Sequence, residues 1–518
     1  MTNRKLNEQS IKWSLDHLLK YGDTDLFPKQ PEFEVLQEIR EKTVRTLKDI
    51  DLGNYNYGTS RRFIVPKDEF SYRIATQLDP LDSIVLTSII HEYGHQIESR
   101  RIPIEDCKVF GYRFAPQNDF NFYDRNVSWL NFWHQCQEKS FNYKYIVYLD
   151  IADFYNQIYH HTIDNQLIES QFPNQIKKWI MGLIENITAK VSRGIPIGPH
   201  STHLLAEMSL IPFDNSLCIK GIDYCRYVDD IIIFCNEYEE ARIIIYEIAS
   251  ILDKQQRLIL QRQKTKIYQA KDFKKYCEKM LQDRPINNYE KDILNFLTNF
   301  TNQDPYTKID LGDFRIEDNI VFQKNRVEKV LSAYLKNKEP NFTRLRWFLR
   351  RLSQVGVSSA VDFCLKNVNE LTPAISDICN YLVSVNIKYR EDWKSLGLQI
   401  FELLKSNIVK SNEYFQMTLL SLFHQKPDLN NTRQLISIYS SSPSSIKREI
   451  LLSIQSLNMG DWLRELKESY DGLDTWSKRA FLLATKSLPS EERKFFLNQV
   501  KEKTNDALDK LLIEWAKL

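Results

Sequence analysis

The sequence lacks any C-x-x-C pair. Its eight cysteines stand singly along the chain, which argues against a small zinc module and makes reduced thiols the expected state. Long apolar runs are missing too, since the richest stretch, around Ile243, is broken by Arg242, Tyr246 and Glu247. Nothing therefore reaches the length needed to cross a bilayer. The opening MTNRKLNEQS is followed by no apolar stretch of signal-peptide length, so a cytoplasmic protein with no membrane partner is expected. Excess charge of one sign is also absent, with 70 Lys and Arg against 68 Asp and Glu. Any nucleic-acid surface must then come from local clustering.

What the chain does have is length and a change of period. Its 518 residues exceed one ordinary core, so two or three domains are expected. The first 300 residues or so mix short β-like runs (RRFIVP, KYIVYLDI, YCRYV, DIIIFC) with helical patches, and nearly everything after about Asn325 reads at helical period. Turn-forming residues gather at Asn302-Gln303-Asp304-Pro305 and Asp310-Leu311-Gly312-Asp313-Phe314, which marks them as the expected connector. Near the C-terminus Lys447-Arg448-x-x-Leu451-Leu452-x-x-x-Ser456-Leu457 recurs 31 residues later as Lys478-Arg479-x-x-Leu482-Leu483-x-x-x-Ser487-Leu488, with a looser copy around Leu419-Leu420. Such a period predicts stacked helix pairs, or else one leucine-rich bundle, and both are all-α.

Two acidic features carry the chemistry. Lys144 to Asp150 reads as a buried strand ending in an acid, and Tyr224 to Phe234 as a β-hairpin whose turn holds Asp229 and Asp230. Asp is a common turn residue, so the pair alone could be a plain turn. The second acid-bearing strand has no such local reason. Carboxylates on neighbouring strands are what nucleotide polymerisation needs, where one Mg²⁺ lowers the pKa of the attacking hydroxyl and a second neutralises the leaving pyrophosphate.

The wording of these segments resembles reverse transcriptases. Asp150-Ile-Ala-Asp-Phe-Tyr-Asn-Gln-Ile158 looks like motif A, and Arg193-Gly-Ile-Pro-Ile-Gly-Pro-His-Ser201 with Leu205-Ala206-Glu207 looks like motif B. Tyr227-Val-Asp-Asp230 is similar to motif C, and Leu258 to Lys266 to motif D. The resemblance implies an α+β fold, a right-hand polymerase with fingers in 1–135 and palm in 136–305, followed by an all-α helical-repeat (HEAT-like) domain in 306–518. It further implies catalytic Asp150, Asp229 and Asp230, with two Mg²⁺ (or Mn²⁺) ions held by Asp150, Asp229 and the backbone of Ile151. Asp153, Phe154, Tyr155, Pro196 and Gly198 would form the nucleotide site together with Lys67 and Arg73 of a basic fingers hairpin. Tyr155 would be the steric gate that excludes a 2′-hydroxyl, and Gly194 would loosen the start of motif B. Ile197 stands where retroelement enzymes usually carry Gln, a departure that bears on template-guided copying.

The Pro-Ile-Gly-Pro and Leu-Ala-Glu wording is similar to the abortive-infection group of bacterial reverse transcriptases, linked to phage defence. That resemblance implies deoxynucleoside triphosphates as substrates, single-stranded DNA as product with RNA as a further partner, a homo-oligomer, and for some members synthesis without template from a protein tyrosine. Tyr21, Tyr55 and Tyr57 are candidates for such a primer. Residues 254–279 hold nine Lys and Arg with Tyr268, Phe273 and Tyr276 interleaved, and Arg344, Arg346, Arg350 and Arg351 surround Trp347. Either cluster could track a phosphate backbone or form a solvated helix face. One rival motif remains: His91-Glu92-Tyr93-Gly94-His95 matches the H-E-x-x-H of zinc proteases, though Arg101 stands where a third His would follow. A conventional template-primed enzyme and a non-catalytic assembly protein are the competing functions.

Overall fold

The computed structural model describes residues 5–281, 285–299, 309, 319–336, 340–387, 392–429, 431–457 and 459–518. The expected connector at 302–305 and 310–314 lies outside them. The β-like runs become six strands: β1 (Arg61–Pro66), β2 (Tyr72–Gln77), β3 (Tyr145–Asp150), β4 (Tyr224–Tyr227), β5 (Asp230–Cys235) and β6 (Lys266–Gln269). β1 and β2 form a two-stranded sheet, and the other four lie in the order β4-β5-β3-β6. Every pairing in that sheet is antiparallel.

Strand side chains alternate between faces, so Ile146, Tyr148 and Asp150 share one face with their register partners Phe234, Ile232 and Asp230. That face builds a core with Phe132, Trp133 and Cys136 of the helix Trp129–Lys139 and with Phe273 and Cys277 of the helix Ala270–Leu281. The helix Tyr238–Gln256 packs on the same two inner strands, which leaves it the other face. The acids end one face of a buried sheet.

Two compact units divide the chain. The first holds Met1–Asp25, Lys29–Arg61 and Thr76–Arg284, and the second holds Leu26–Pro28, Arg62–Ala75 and Pro285–Leu518. This division by compactness runs elsewhere than the three-part division expected from sequence, because residues 62–75 group with the helices that follow residue 285. Within that unit Arg346 donates to the carbonyl of Lys67 at 2.6 Å, and Asn412 donates to that of Ile64 at 2.9 Å. Period and composition carry no trace of such pairings, which join positions hundreds of residues apart.

Among the described residues the second unit is otherwise helical. The helices Phe342–Val355, Ile375–Ser384, Glu413–Gln425, Ser444–Leu457, Thr475–Ala484 and Ala507–Lys517 each pack on the next. Both copies of the 31-residue pattern lie on neighbours in this row. Leu451, Leu452, Leu482 and Leu483 are buried. Arg448 and Arg479 are buried as well, and each reaches the start of the next helix in the row. Arg448 donates to the carbonyl of Trp476 at 3.2 Å, and Arg479 pairs with Asp506 at 3.2 Å and Asp509 at 3.1 Å.

Candidate active site

The β4–β5 hairpin turns through Val228 and Asp229, since Tyr227 pairs with Asp230. Val228 has φ 54°, a left-handed conformation that costs a β-branched residue about 1–3 kcal/mol and persists only where the surroundings impose it. They do so here. Arg226 donates to the carbonyl of Val228 at 2.9 Å. Ile151 donates its amide to the carbonyl of Asp229 at 3.2 Å, while Asp150 lies opposite Asp230 in the register. Three acids from two segments distant in sequence thus meet at one end of two strands.

Their electrostatics are strained. Burial, then the charges of Asp230 and Asp150, pushes the Asp229 carboxyl up to about 7. Burial also raises Asp230, with Asp150 adding to it, against a hydrogen bond from the Tyr148 hydroxyl at 2.7 Å. The nearby cation is Lys264, whose ammonium stands 2.5 Å from Asp150. Burial disfavours that ammonium, yet the hydrogen bond to Asp150 and the three carboxylates together raise its pKa. One ammonium facing three carboxylates leaves a surplus of negative charge on hard oxygen donors, the chemistry that suits Mg²⁺.

Lys264 is the member of this charge cluster that sequence reasoning left unnamed. It lies in the motif D-like segment, but nothing set it apart from the eight other basic residues of 254–279. The backbone delivers it: Gln261 donates to the carbonyl of Asp150 at 2.7 Å and Ala152 to that of Ile259 at 2.8 Å, which ties this loop to the end of β3.

Behind the hairpin lies a closed ionic network. Arg226, fully buried, pairs with Glu207 at 2.9 Å and with Asp214 at 2.5 Å. Arg101 pairs with Glu207 at 2.8 Å and Glu98 at 3.0 Å, and Arg113 reaches Glu98 at 2.6 Å. Three guanidiniums meet three carboxylates. The packing is tight enough that a Cβ on Gly111 would stand 2.4 Å from Glu207 Oε1 and 2.8 Å from the Val228 nitrogen.

This network also absorbs the H-E-x-x-H segment. It lies on the helix Pro80–Glu98, which opens with an Asp79 cap and a proline in the first turn. Arg101, which stands where a third His would follow, belongs to the ion pairs just described, as does Glu98 at the end of the helix. His91 stacks on Trp13 at 4.4 Å and bonds Ser10 at 3.0 Å, Glu92 accepts from the Asn7 amide at 3.1 Å, and His95 meets the Phe114 ring edge. Each of the three motif side chains has a separate structural task.

Of the remaining expected residues, Asp153 is exposed at φ 47°, with its carboxylate accepting from Asn156 at 2.7 Å. Phe154 is 3% exposed, so its side chain belongs to the core and only its backbone is left for a ligand. Tyr155 sends its hydroxyl to His203. Pro196 and Gly198 are buried in the motif B-like loop, where Gly194 and Gly198 take φ 95° and 133°, values that suit glycine. Lys67 and Arg73 fall in the second unit with Arg346. That unit thereby unites two basic clusters that sequence reading kept apart. The hydroxyls of Tyr21, Tyr55 and Tyr57 donate to Asp119, Asp82 and the carbonyl of Trp179 respectively.

Among the described residues no group of three or more His, Cys, Asp or Glu stands at metal-holding spacing. That holds for Asp150, Asp229 and Asp230 too, where Lys264 and Tyr148 occupy oxygens of Asp150 and Asp230. The donor set nevertheless fits a divalent ion in kind, because its oxygens are hard, its members converge, and Asp229 carries an uncompensated like-charge load.

An antiparallel sheet ending in converging acids is the arrangement that nucleotidyl transfer needs. Residues 67–307 match the family model of reverse transcriptase (RNA-dependent DNA polymerase). The chain therefore contains a reverse transcriptase domain and is an RNA-directed DNA polymerase-like enzyme. No curated protein matches it. Among solved structures, apo telomerase from Candida tropicalis aligns over 80% of this chain and 72% of its own, at 10% identity and a TM-score of 0.31. Telomerase from Candida albicans, in complex with a fragment of telomeric RNA, aligns over 75% and 64% at 11% identity and a TM-score of 0.28. Likeness this loose bears on neither mechanism nor partners. No described helix is long and apolar enough to cross a membrane.

Proposed function

We propose that this chain is a DNA polymerase of the abortive-infection type, a cytoplasmic phage-defence enzyme that adds deoxynucleotides to a protein tyrosine without a template. Asp150 and Asp229, with the backbone of Ile151, hold two Mg²⁺ ions (or Mn²⁺), and Asp230 is the third acid. When bound, the ions activate the attacking hydroxyl and neutralise the departing pyrophosphate. Asp153 and Phe154 offer backbone amides to the triphosphate, Lys67 and Arg73 offer positive charge, and Pro196 and Gly198 let backbone approach the nascent base. Tyr155 excludes the 2′-hydroxyl. The row of helices after residue 340 is a HEAT-like repeat array that assembles copies of the chain and contacts single-stranded DNA product or RNA.

One observation carries the catalytic part: Asp150 lies opposite Asp230 in the strand register, with Ile151 bonded to Asp229. The motif wording and the helix row support the defence and assembly parts. The decisive experiment incubates purified protein with Mg²⁺ and deoxynucleoside triphosphates and follows incorporation. Asp229→Asn should lower it at least ~10³-fold, about 4 kcal/mol in barrier, with an unchanged far-UV spectrum. Product made with no added template, attached after denaturation and freed by protease, is the expected result. Free product that requires a template and primer would replace this reading with a conventional reverse transcriptase. No incorporation under varied metal and primer conditions would leave a non-catalytic assembly protein.

A further inference from the structure

Tyr155 leaves the short helix Phe154–Gln157 with its carbonyl fixed by the amide of Ile195 at 3.0 Å. Its side chain is fixed at the far end as well. The hydroxyl stands 2.7 Å from Nδ1 of His203, and the two rings meet edge to face at 88°. His203, on the helix Thr202–Ser209, stacks flat on Tyr112 with centroids 4.1 Å apart and planes within 8°. Tyr112 in turn contacts Tyr123, whose hydroxyl donates to the carbonyl of His200 at 2.5 Å. The imidazole thus has little freedom to rotate, and the tyrosine hydroxyl has a fixed partner.

The charge state of the pair is also determined. Burial, with a contribution from His200, pushes His203 down to about 3, and burial holds the Tyr155 phenol well above its usual range. Both groups are therefore neutral at working pH, so the bond joins an uncharged phenol and an uncharged imidazole. A bulky ring excludes a substituent only while it is held in place. An aromatic side chain turns about two torsions, and an anchor on its polar tip removes most of that freedom.

We propose that His203, clamped by the Tyr112 ring, is a positioning residue that fixes Tyr155 and so sets the enzyme's discrimination between deoxy- and ribonucleoside triphosphates. This inference rests on the gate role given to Tyr155 above. His203 itself need not touch the nucleotide.

The test compares kcat/KM for a deoxy- and the matching ribonucleoside triphosphate, using the full chain, in wild type, His203→Ala, His203→Asn, Tyr155→Phe, Tyr155→Ala and the double variant His203→Ala/Tyr155→Phe. Loss of one such hydrogen bond should shift the deoxy-to-ribo ratio by about tenfold. His203→Ala and Tyr155→Phe should each show that shift, and the double variant no more than either single one, because both cut the same bond. His203→Asn, whose carboxamide offers both an acceptor and a donor in place of Nδ1, should keep the wild-type ratio, and Tyr155→Ala should lose most of it. A His203→Ala enzyme slowed equally on both substrates, beside a Tyr155→Ala enzyme that admits ribonucleotides, would overturn the proposal and leave the polymerase reading intact. An unchanged ratio in Tyr155→Ala would remove the gate and the proposal together. No incorporation by wild type would refute both this inference and the function beneath it. Melting curves of His203→Ala and His203→Asn, expected to agree within a few degrees, separate repositioning from unfolding.

Discussion

Two clusters of charge meet at the same hairpin and behave in opposite ways. On one side Arg226, Arg101 and Arg113 face Glu207, Asp214 and Glu98, three cations to three anions. On the other, Asp150, Asp229 and Asp230 face Lys264. Buried charge is tolerated when it is paired and hydrogen-bonded, and is costly otherwise. The balanced cluster is scaffold, since it holds the strained Val228 turn through its carbonyl. The unbalanced one keeps an electrostatic demand that a ligand can satisfy.

Breaking the closed cluster should have the largest effect on stability. Arg226→Met leaves Glu207 short of one partner and Asp214 without its guanidinium inside the core, and should cost about 3–5 kcal/mol in urea denaturation. A loss below 1 kcal/mol would mean that the network is not a brace.

The open cluster should show its imbalance in pH. Asp229 has a folded-state value raised to about 7, above an ordinary carboxyl near 3.8. Its contribution to stability is therefore full below about pH 4 and is lost as pH rises through 7. In EDTA, wild type should lose on the order of 2 kcal/mol relative to Asp229→Asn between pH 5 and 8. Added Mg²⁺ should restore much of that difference to wild type. Parallel stability curves for the two proteins would show that the acids are not in conflict.

Lys264 sharpens the contrast on the smallest scale. Its side chain is more than half exposed, so Lys264→Met should cost only about 0.5–1 kcal/mol in EDTA, a difference that 0.5 M salt should shrink. A loss as large as that of Arg226→Met would place Lys264 in the scaffold.

The carboxylate site was legible because acids that end β-forming runs are rare without a purpose. Asp150 ends an apolar run, where a period of two specifies its face, and Asp229 sits in the turn between two β-forming arms. The 31-residue pattern was legible for a similar reason, since Arg448 and Arg479 with their following leucines repeat at helical spacing and fall on packed neighbours. Other features had no local signal. Arg101 looked like the break in a failed zinc motif, whereas its partner Glu207 lies more than a hundred residues away. His203 looked like any polar helix residue, and Phe154 like a site residue when its ring is core.

Local order along the chain decided which segments are strands or helices and which strand ends carry acid, because side-chain period and turn chemistry act over a few residues. Three-dimensional packing alone decided that Lys264 meets Asp150, that Arg226 supports Val228, and that residues 62–75 group with helices beyond residue 285. Those pairings depend on burial and on which charges are left without partners, quantities that do not exist until distant segments have met.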